Sequence, residues 1–215
     1  GTTNFNFNTA SGSLSVGSGS TNLVEIGYTT ATTSPLGVVN FNLAGTDQFT
    51  ANVGNFRVGD YSSAPTGAPS LSVSAILATN NTITAATDFV VGDNGGSAPG
   101  VIGPVTLQFG SGTNTVTTPS MTIGGRKGTS SGVGSQVSVA AGGTLTIDNG
   151  AGSTNLFIGN NIINTGVASI STLDTTGAIL VADLDQLIIG QKTGGGVGSS
   201  TATLTTGTSS SNAVT

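Results

Sequence analysis

Short alternations of apolar and polar residues recur along the chain in groups of three. In one group Phe56/Val58 form the first run, Leu71/Val73/Ala75 the second, and Ile83 centres the third. The next holds Phe89/Val91, Val105/Leu107/Phe109 and Val116, and the one after Met121/Ile123, Val137/Val139/Ala141 and Leu145/Ile147. Before them come Val24/Ile26, Val39/Phe41/Leu43 and Phe49. After them come Leu156/Ile158, Val167/Ile170 and Ile179/Val181, then Leu187/Ile189, Ala202/Leu204 and Val214. Alternate residues of a strand point to opposite faces, so each run predicts a short β-strand with its apolar file inward and Thr, Ser, Asn or Gln outward.

The first run of each group ends in glycine: Gly27, Gly59, Gly92, Gly124, Gly159 and Gly190. Subtracting successive numbers gives steps of 32, 33, 32, 35 and 31. So regular a recurrence is the mark of a stacked repeat architecture. Three strands per lap of about 33 residues predict a three-sided parallel β-solenoid of about six to seven coils, compatible with either hand. It forms a single domain over 1–215, with a partial coil at 1–20 and coils starting near 22, 55, 88, 120, 155 and 186. Val58, Val91, Ile123, Ile158 and Ile189 are then expected to stack as one aliphatic ladder. Gly/Ser/Pro-rich stretches after the corner, such as 61–67, 95–100, 128–132 and 193–197, predict a fringe of loops along one edge, with 160–164 the shortest.

Composition narrows the function. Only 6% of the residues are charged, the net charge is −5, and there is no Cys, His or Trp. Four basic residues (Arg57, Arg126, Lys127 and Lys192) offer no surface for nucleic acid or anionic membranes. No apolar run is long enough for a membrane span. No signal segment opens the chain, so a mature or internal segment is expected. The strands at 1–20 and 212–215 carry neither charge nor proline to blunt an edge. A slice of a longer solenoid, or copies stacked end to end, is the expectation.

The repeats Phe56-Arg57-Val58-Gly59-Asp60, Phe89-Val90-Val91-Gly92-Asp93-Asn94-Gly95 and Gly142-Gly143-Thr144-Leu145-Thr146-Ile147 resemble those of bacterial autotransporter passenger domains. They are also similar to repeats in surface proteins sorted by exosortase systems. The resemblance implies an exported β-solenoid, extracellular or at the bacterial cell surface, that serves as a stalk, adhesin, fibre or biofilm-matrix component. Its partners would be further copies of itself and surface or matrix glycans. The aspartate after glycine is replaced at Tyr28, Gly125, Asn160 and Gln191.

Candidate chemistry is sparse. A polysaccharide-active enzyme would draw on Asp60 and Asp93, one coil apart at equivalent corners, with Arg57 nearby; the plainer reading is that Asp after Gly completes a turn. Asp183 and Asp185 on one strand face, with Asp148-Asn149-Gly150, offer oxygen ligands of the kind calcium takes, but read as a solvated face and a turn. Thr82/Thr84, Thr115/Thr117 and Thr144/Thr146 flank inward Ile83, Val116 and Leu145, resembling the ice-binding face of antifreeze solenoids; Thr is also the ordinary choice for a half-exposed strand. Tyr28 and Tyr61, each just after a corner glycine, are candidates to grip a glycan or a neighbouring subunit. Asn80-Asn81-Thr82 is a formal glycosylation sequon. No catalytic, cofactor-binding or metal-ligating residue is assigned. The expected function is that of a non-enzymatic structural repeat protein, with a polysaccharide-active enzyme or a glycan- or ice-binding module as alternatives.

Overall fold

A computed structural model describes residues 1–7, 11–29, 37–61, 71–95, 103–126, 133–150, 152–162, 168–196 and 199–215. These residues form a β-solenoid. β1 (Thr2–Asn6) and β2 (Ser13–Val16) belong to a partial lap. β3 (Leu23–Thr29) and β4 (Gly37–Asn42) open the next, followed by β5 (Gln48–Tyr61), β6 (Leu71–Ile76) and β7 (Asn80–Asn94). β8 (Val105–Phe109), β9 (Thr113–Thr117), β10 (Ser120–Arg126), β11 (Ser135–Val139) and β12 (Thr144–Asp148) continue the winding. β13 (Thr154–Asn161), β14 (Ser169–Thr175), β15 (Ile179–Ala182), β16 (Leu184–Lys192), β17 (Ser200–Thr206) and β18 (Ala213–Val214) complete it. All the strand pairs are parallel, and no helix occurs among the described residues. From Gly27 to Gly190 the chain makes five full laps, and strands outside that interval add partial laps at each end.

The strands form three faces. The first carries β3, the second halves of β5 and β7, β10, β13 and β16. The second is a seven-stranded sheet in the order β1-β4-β6-β8-β11-β14-β17. The third carries β2, the first halves of β5 and β7, β9, β12, β15 and β18. Third and first faces are continuous in one sheet because β5 and β7 round the corner without a break; a register shift between Val53 and Asn55 absorbs the turn. Three separate strands per lap are therefore seen only in the other laps.

The expected ladder is present. Ile26, Val58, Val91, Ile123, Ile158 and Ile189 are successive register partners. All but Ile189, on the last lap, are buried. The six corner glycines share φ values between +67° and +78°. At Gly59 a Cβ would also come within 2.5 Å of Val105 Cγ2, so only hydrogen lets the first face close onto the second. An aromatic chain runs beside the ladder: Phe5–Phe41 stack at 5.0 Å, Phe49 bridges edge-on, and Phe56–Phe89 stack at 5.0 Å before Phe109. Met121, Leu156 and Leu187 continue the Phe56–Phe89 file.

Some strand positions differ from the sequence reading. Leu180 and Ala182 point inward, whereas Ile179 and Val181 lie in the outward files beside Thr144 and Thr146. Ser169, Ser171, Leu173 and Thr175 face the interior of β14, and Ile170 faces out. Ala141 is exposed in the turn after β11. Around Ile179 the run is apolar throughout and has no polar alternation to fix its phase, whereas in β14 the phase is set by Leu173, the register partner of inward Val137; a one-residue slip exchanges the faces. Ile147, not Leu145, stacks on Val116. The threonine file is accordingly Thr50–Thr82–Thr115–Thr146, with Asn52–Thr84–Thr117–Asp148 beside it. Most of the expected loop fringe, at 62–67, 96–100, 128–132, 163–164 and 197, lies outside the described residues, as does Val167.

Replacing fully buried Ile123 with Ala removes its contacts with two laps at once. Urea denaturation should show a loss of about 2–5 kcal/mol for Ile123→Ala, and at most about 0.5 kcal/mol for its outward neighbour Thr122→Ala.

Candidate functional site

The one dense cluster of ionised side chains among the described residues lies at the first-face corner and gathers both arginines of the chain. Register makes Tyr28, Asp60, Asp93 and Gly125 successive neighbours immediately after the corner glycines. Asp60 and Asp93 are buried there. Arg57 Nη1 donates to Asp60 Oδ2 at 2.8 Å, and Nη2 to Asp88 Oδ2 at 2.9 Å. Arg126 clamps Asp93 through two bonds, Nε to Oδ1 at 2.6 Å and Nη2 to Oδ2 at 2.7 Å. The same Nη2 reaches Asp60 Oδ1 at 3.3 Å.

Backbone geometry makes that clamp possible. Arg126 has φ +57°, a left-handed conformation uncommon for a side chain of its size, and its guanidinium lies against Gly95. Gly125 occupies the file of Asp60 and Asp93; a Cβ there would sit 3.0 Å from Asp93 Oδ1. The missing aspartate at this lap thus leaves room for an arginine that reaches back one lap.

Burial pushes the Asp93 carboxyl above its ordinary value, more strongly than Arg126 pulls it down. Glu25 is raised for the same first reason, with further upward pressure from the Asp60 carboxyl nearby. Arg57 is raised because its bonds to Asp60 and Asp88 outweigh its own burial. Glu25, Asp60, Asp88 and Asp93 set against Arg57 and Arg126 leave the cluster a formal charge of −2.

The sequence reading singled out Asp60, Asp93 and Arg57, and the structure brings all three together. It omitted Arg126, Asp88 and Glu25. Their signal was that both arginines lie two residues from a corner glycine. The arrangement suits charge neutralisation better than turnover. A retaining glycosidase presents two carboxyls to an open cleft with room for a sugar between them, whereas here one guanidinium bridges both.

The other candidates separate. Asp183 falls in the break between β15 and β16, so it shares no strand with Asp185, which corrects the expected pair. Asp148 Oδ1 accepts from Gly150 N at 3.0 Å, an ordinary turn contact. No group of three or more carboxylates at metal-holding distance occurs among the described residues. Tyr61 is fully buried and donates to the Leu71 carbonyl at 2.5 Å, and burial pushes its phenol up. Tyr28 is exposed and pairs with Asp60, one register position away from Tyr61, so the tyrosines form no common platform. Asn81 is buried, and its amide donates to Asn114 Oδ1 at 2.6 Å and to the Ala78 carbonyl at 2.8 Å. Asn80 Oδ1 accepts from Thr113 N at 3.0 Å.

No protein-family model, curated protein or solved structure matches the chain.

Arg126→Met leaves Asp93 and Asp60 buried with part of their compensation gone. It should cost on the order of 3 kcal/mol in urea denaturation. The raised carboxyls give a second expectation. Asp93 and Glu25 bind protons more tightly in the folded than in the unfolded chain, so the stabilisation from their protonated forms is complete below the ordinary carboxylate range. It is lost as pH rises through their raised folded values. The urea midpoint should therefore fall as pH rises from about 4, the ordinary carboxylate value, to about 7, and Asp93→Asn should shrink the difference.

Proposed function

We propose that this chain is a non-enzymatic, extracellular structural repeat protein whose rod assembles end to end into a fibre or a surface stalk. The observation that carries this reading is the continuous aliphatic ladder: Ile26, Val58, Val91, Ile123 and Ile158 stack buried through parallel laps without a break, which makes the chain a stiff rod. Phe5 at one end, and Leu187, Ile189 and Val214 at the other, are 40–48% exposed. Their counterparts within the rod, such as Val91 and Ile123, are fully buried. Apolar rows at the limits of the described coils favour being covered, by further coils of a longer solenoid or by another copy. Because all strands run in parallel, the two ends differ, and an end-to-end contact is heterologous and does not close on itself.

Two further features support the structural role over a polysaccharide-active one. The Asp60/Asp93 pair is bridged by Arg126, and the chain has no His or Cys to serve as base or nucleophile. Extracellular placement at a bacterial surface draws its support from the resemblance of the repeats.

Negative-stain microscopy of the purified chain should show rods several times the length of one subunit, whose strand stack spans about 30 Å. Ile189→Asp should reduce them to single-subunit particles. Particles of single-subunit length at every concentration would overturn the proposal.

A further inference from the structure

The corner between the first and second faces is filled differently in the earlier and the later laps. In one early lap Tyr61 and Leu71 fill it: both are buried, and the Tyr61 hydroxyl donates to the Leu71 carbonyl. Val73 stands beside them on β6, in an inward file that runs Val39–Val73–Val105. Register carries the Tyr61 position through Asn94 and Arg126 to Asn161. It carries the Val73 position through Val105 and Ser135 to Ser171. Ser169, two residues before Ser171 on β14, takes the place that Leu71 has before Val73. A phenol, an isobutyl and an isopropyl group thus give way to a carboxamide and two hydroxymethyls. The strands around them stay paired lap to lap on both faces.

The short side chains are buried and incompletely bonded. Asn161, Ser169 and Ser171 are at most 2% exposed. Asn161 Nδ2 donates to Ser169 Oγ at 3.4 Å, a long hydrogen bond, and Asn161 Oδ1 has no partner among the described residues. Ser171 Oγ and Ser200 Oγ are buried and equally unpartnered there. All three oxygens gather at two stacked corner glycines. A Cβ on Gly124 would collide with Ser171 Oγ, and one on Gly159 would lie 3.0 Å from Ser200 Oγ. Asn161 comes two residues after Gly159, and Ser200 is the register partner of Ser169.

We propose that this corner is a binding site for buried ordered water, held by Asn161 Oδ1, Ser171 Oγ and Ser200 Oγ. Pairing on both faces keeps the backbone from collapsing onto the shortened side chains, and protein interiors do not leave such space unfilled. Polar lining selects water to fill it, because water donates to the amide oxygen and both donates to and accepts from hydroxyls. Left unbonded, each of these groups would carry its full desolvation cost. Charge disfavours a cation. The liganding atoms are neutral oxygens, and the register neighbours of Asn161 are Arg126 and Lys192. Water here does for the later laps what the Tyr61 hydroxyl does for the earlier one: it ties the first face to the second across the corner. The inference is independent of end-to-end assembly.

Oxygen-17 relaxation dispersion of the full chain tests it by detecting water that exchanges slowly with bulk solvent. A slow-water signal is expected. Asn161→Leu, close in size but without polar atoms, should diminish it, and Thr122→Ala on the outer surface should not. A crystal structure of the unsubstituted chain should place water within about 3.2 Å of Asn161 Oδ1 and of a serine Oγ at this corner. That structure decides alone if Asn161→Leu does not fold. Absence of slowly exchanging water would overturn the proposal, as would an undiminished signal in folded Asn161→Leu. Direct bonds from these three oxygens to protein groups, or a metal ion at the site, would overturn it equally.

Discussion

Everything in this molecule depends on Val and Ile side chains one lap apart lying directly over one another. Each interior rung of the Ile26–Ile189 file is covered on both sides by its neighbours, so burial is complete although a lap contributes few apolar residues. Each such side chain contributes about 1.5–3 kcal/mol relative to exposure. No lap collects that alone, which makes stability a property of neighbouring laps. The same requirement explains the glycine corners. The first face must turn at one height on every lap and approach the second face without a Cβ between them. Large residues tune the cross-section: phenylalanines fill it in the earlier laps, Met121 and Leu156 in the later ones.

At two places the stacking rule also satisfies polar groups in the interior, whereas buried Ser171 Oγ and Asn161 Oδ1 have no hydrogen-bond partner among the described residues. Asn81 and Asn114 sit at inward third-face positions occupied by Phe49 and Leu145 in the laps on either side. Their amides bond each other and the Ala78, Gly110, Gly112 and Thr144 carbonyls, so the buried pair closes the turn before each strand. The ionic cluster follows the same logic across three laps. Arg126 reaches back to Asp93 and, beyond it, to Asp60, which turns a vertical file of like charges into an alternating one. Without the guanidiniums, two buried carboxylates in adjacent register would repel across one strand spacing.

How far the sequence exposes this follows from how strongly each segment alternates. Leu-Ser-Val-Ser-Ala and Thr-Leu-Thr-Ile mark their inward residues unambiguously, and those residues are inward. Ala178-Ile179-Leu180-Val181 is apolar throughout, so the phase was set by Leu145 and Ile147 beneath it, information that no local pattern holds. The candidate site divides in the same way. Asp60 and Asp93 recur at one offset from a repeated glycine and are visible as a pair. Arg126 shares no repeat position with Arg57; its role depends on a left-handed backbone and on the missing side chain at Gly125, which only the register between β7 and β10 reveals.

The outer surface gives the rod a direction as well as an axis. The outward third-face file reads Thr50, Thr82, Thr115 and Thr146, then Val181 and Ala213, so a hydroxyl surface gives way to an aliphatic one towards the last laps. One end of the core presents phenylalanine, the other leucine, isoleucine and valine. With so few charges on the chain, long-range repulsion does little to keep rods apart, and short-range fit decides which surfaces meet. Because every strand pair is parallel, the two ends of the described rod present unlike surfaces.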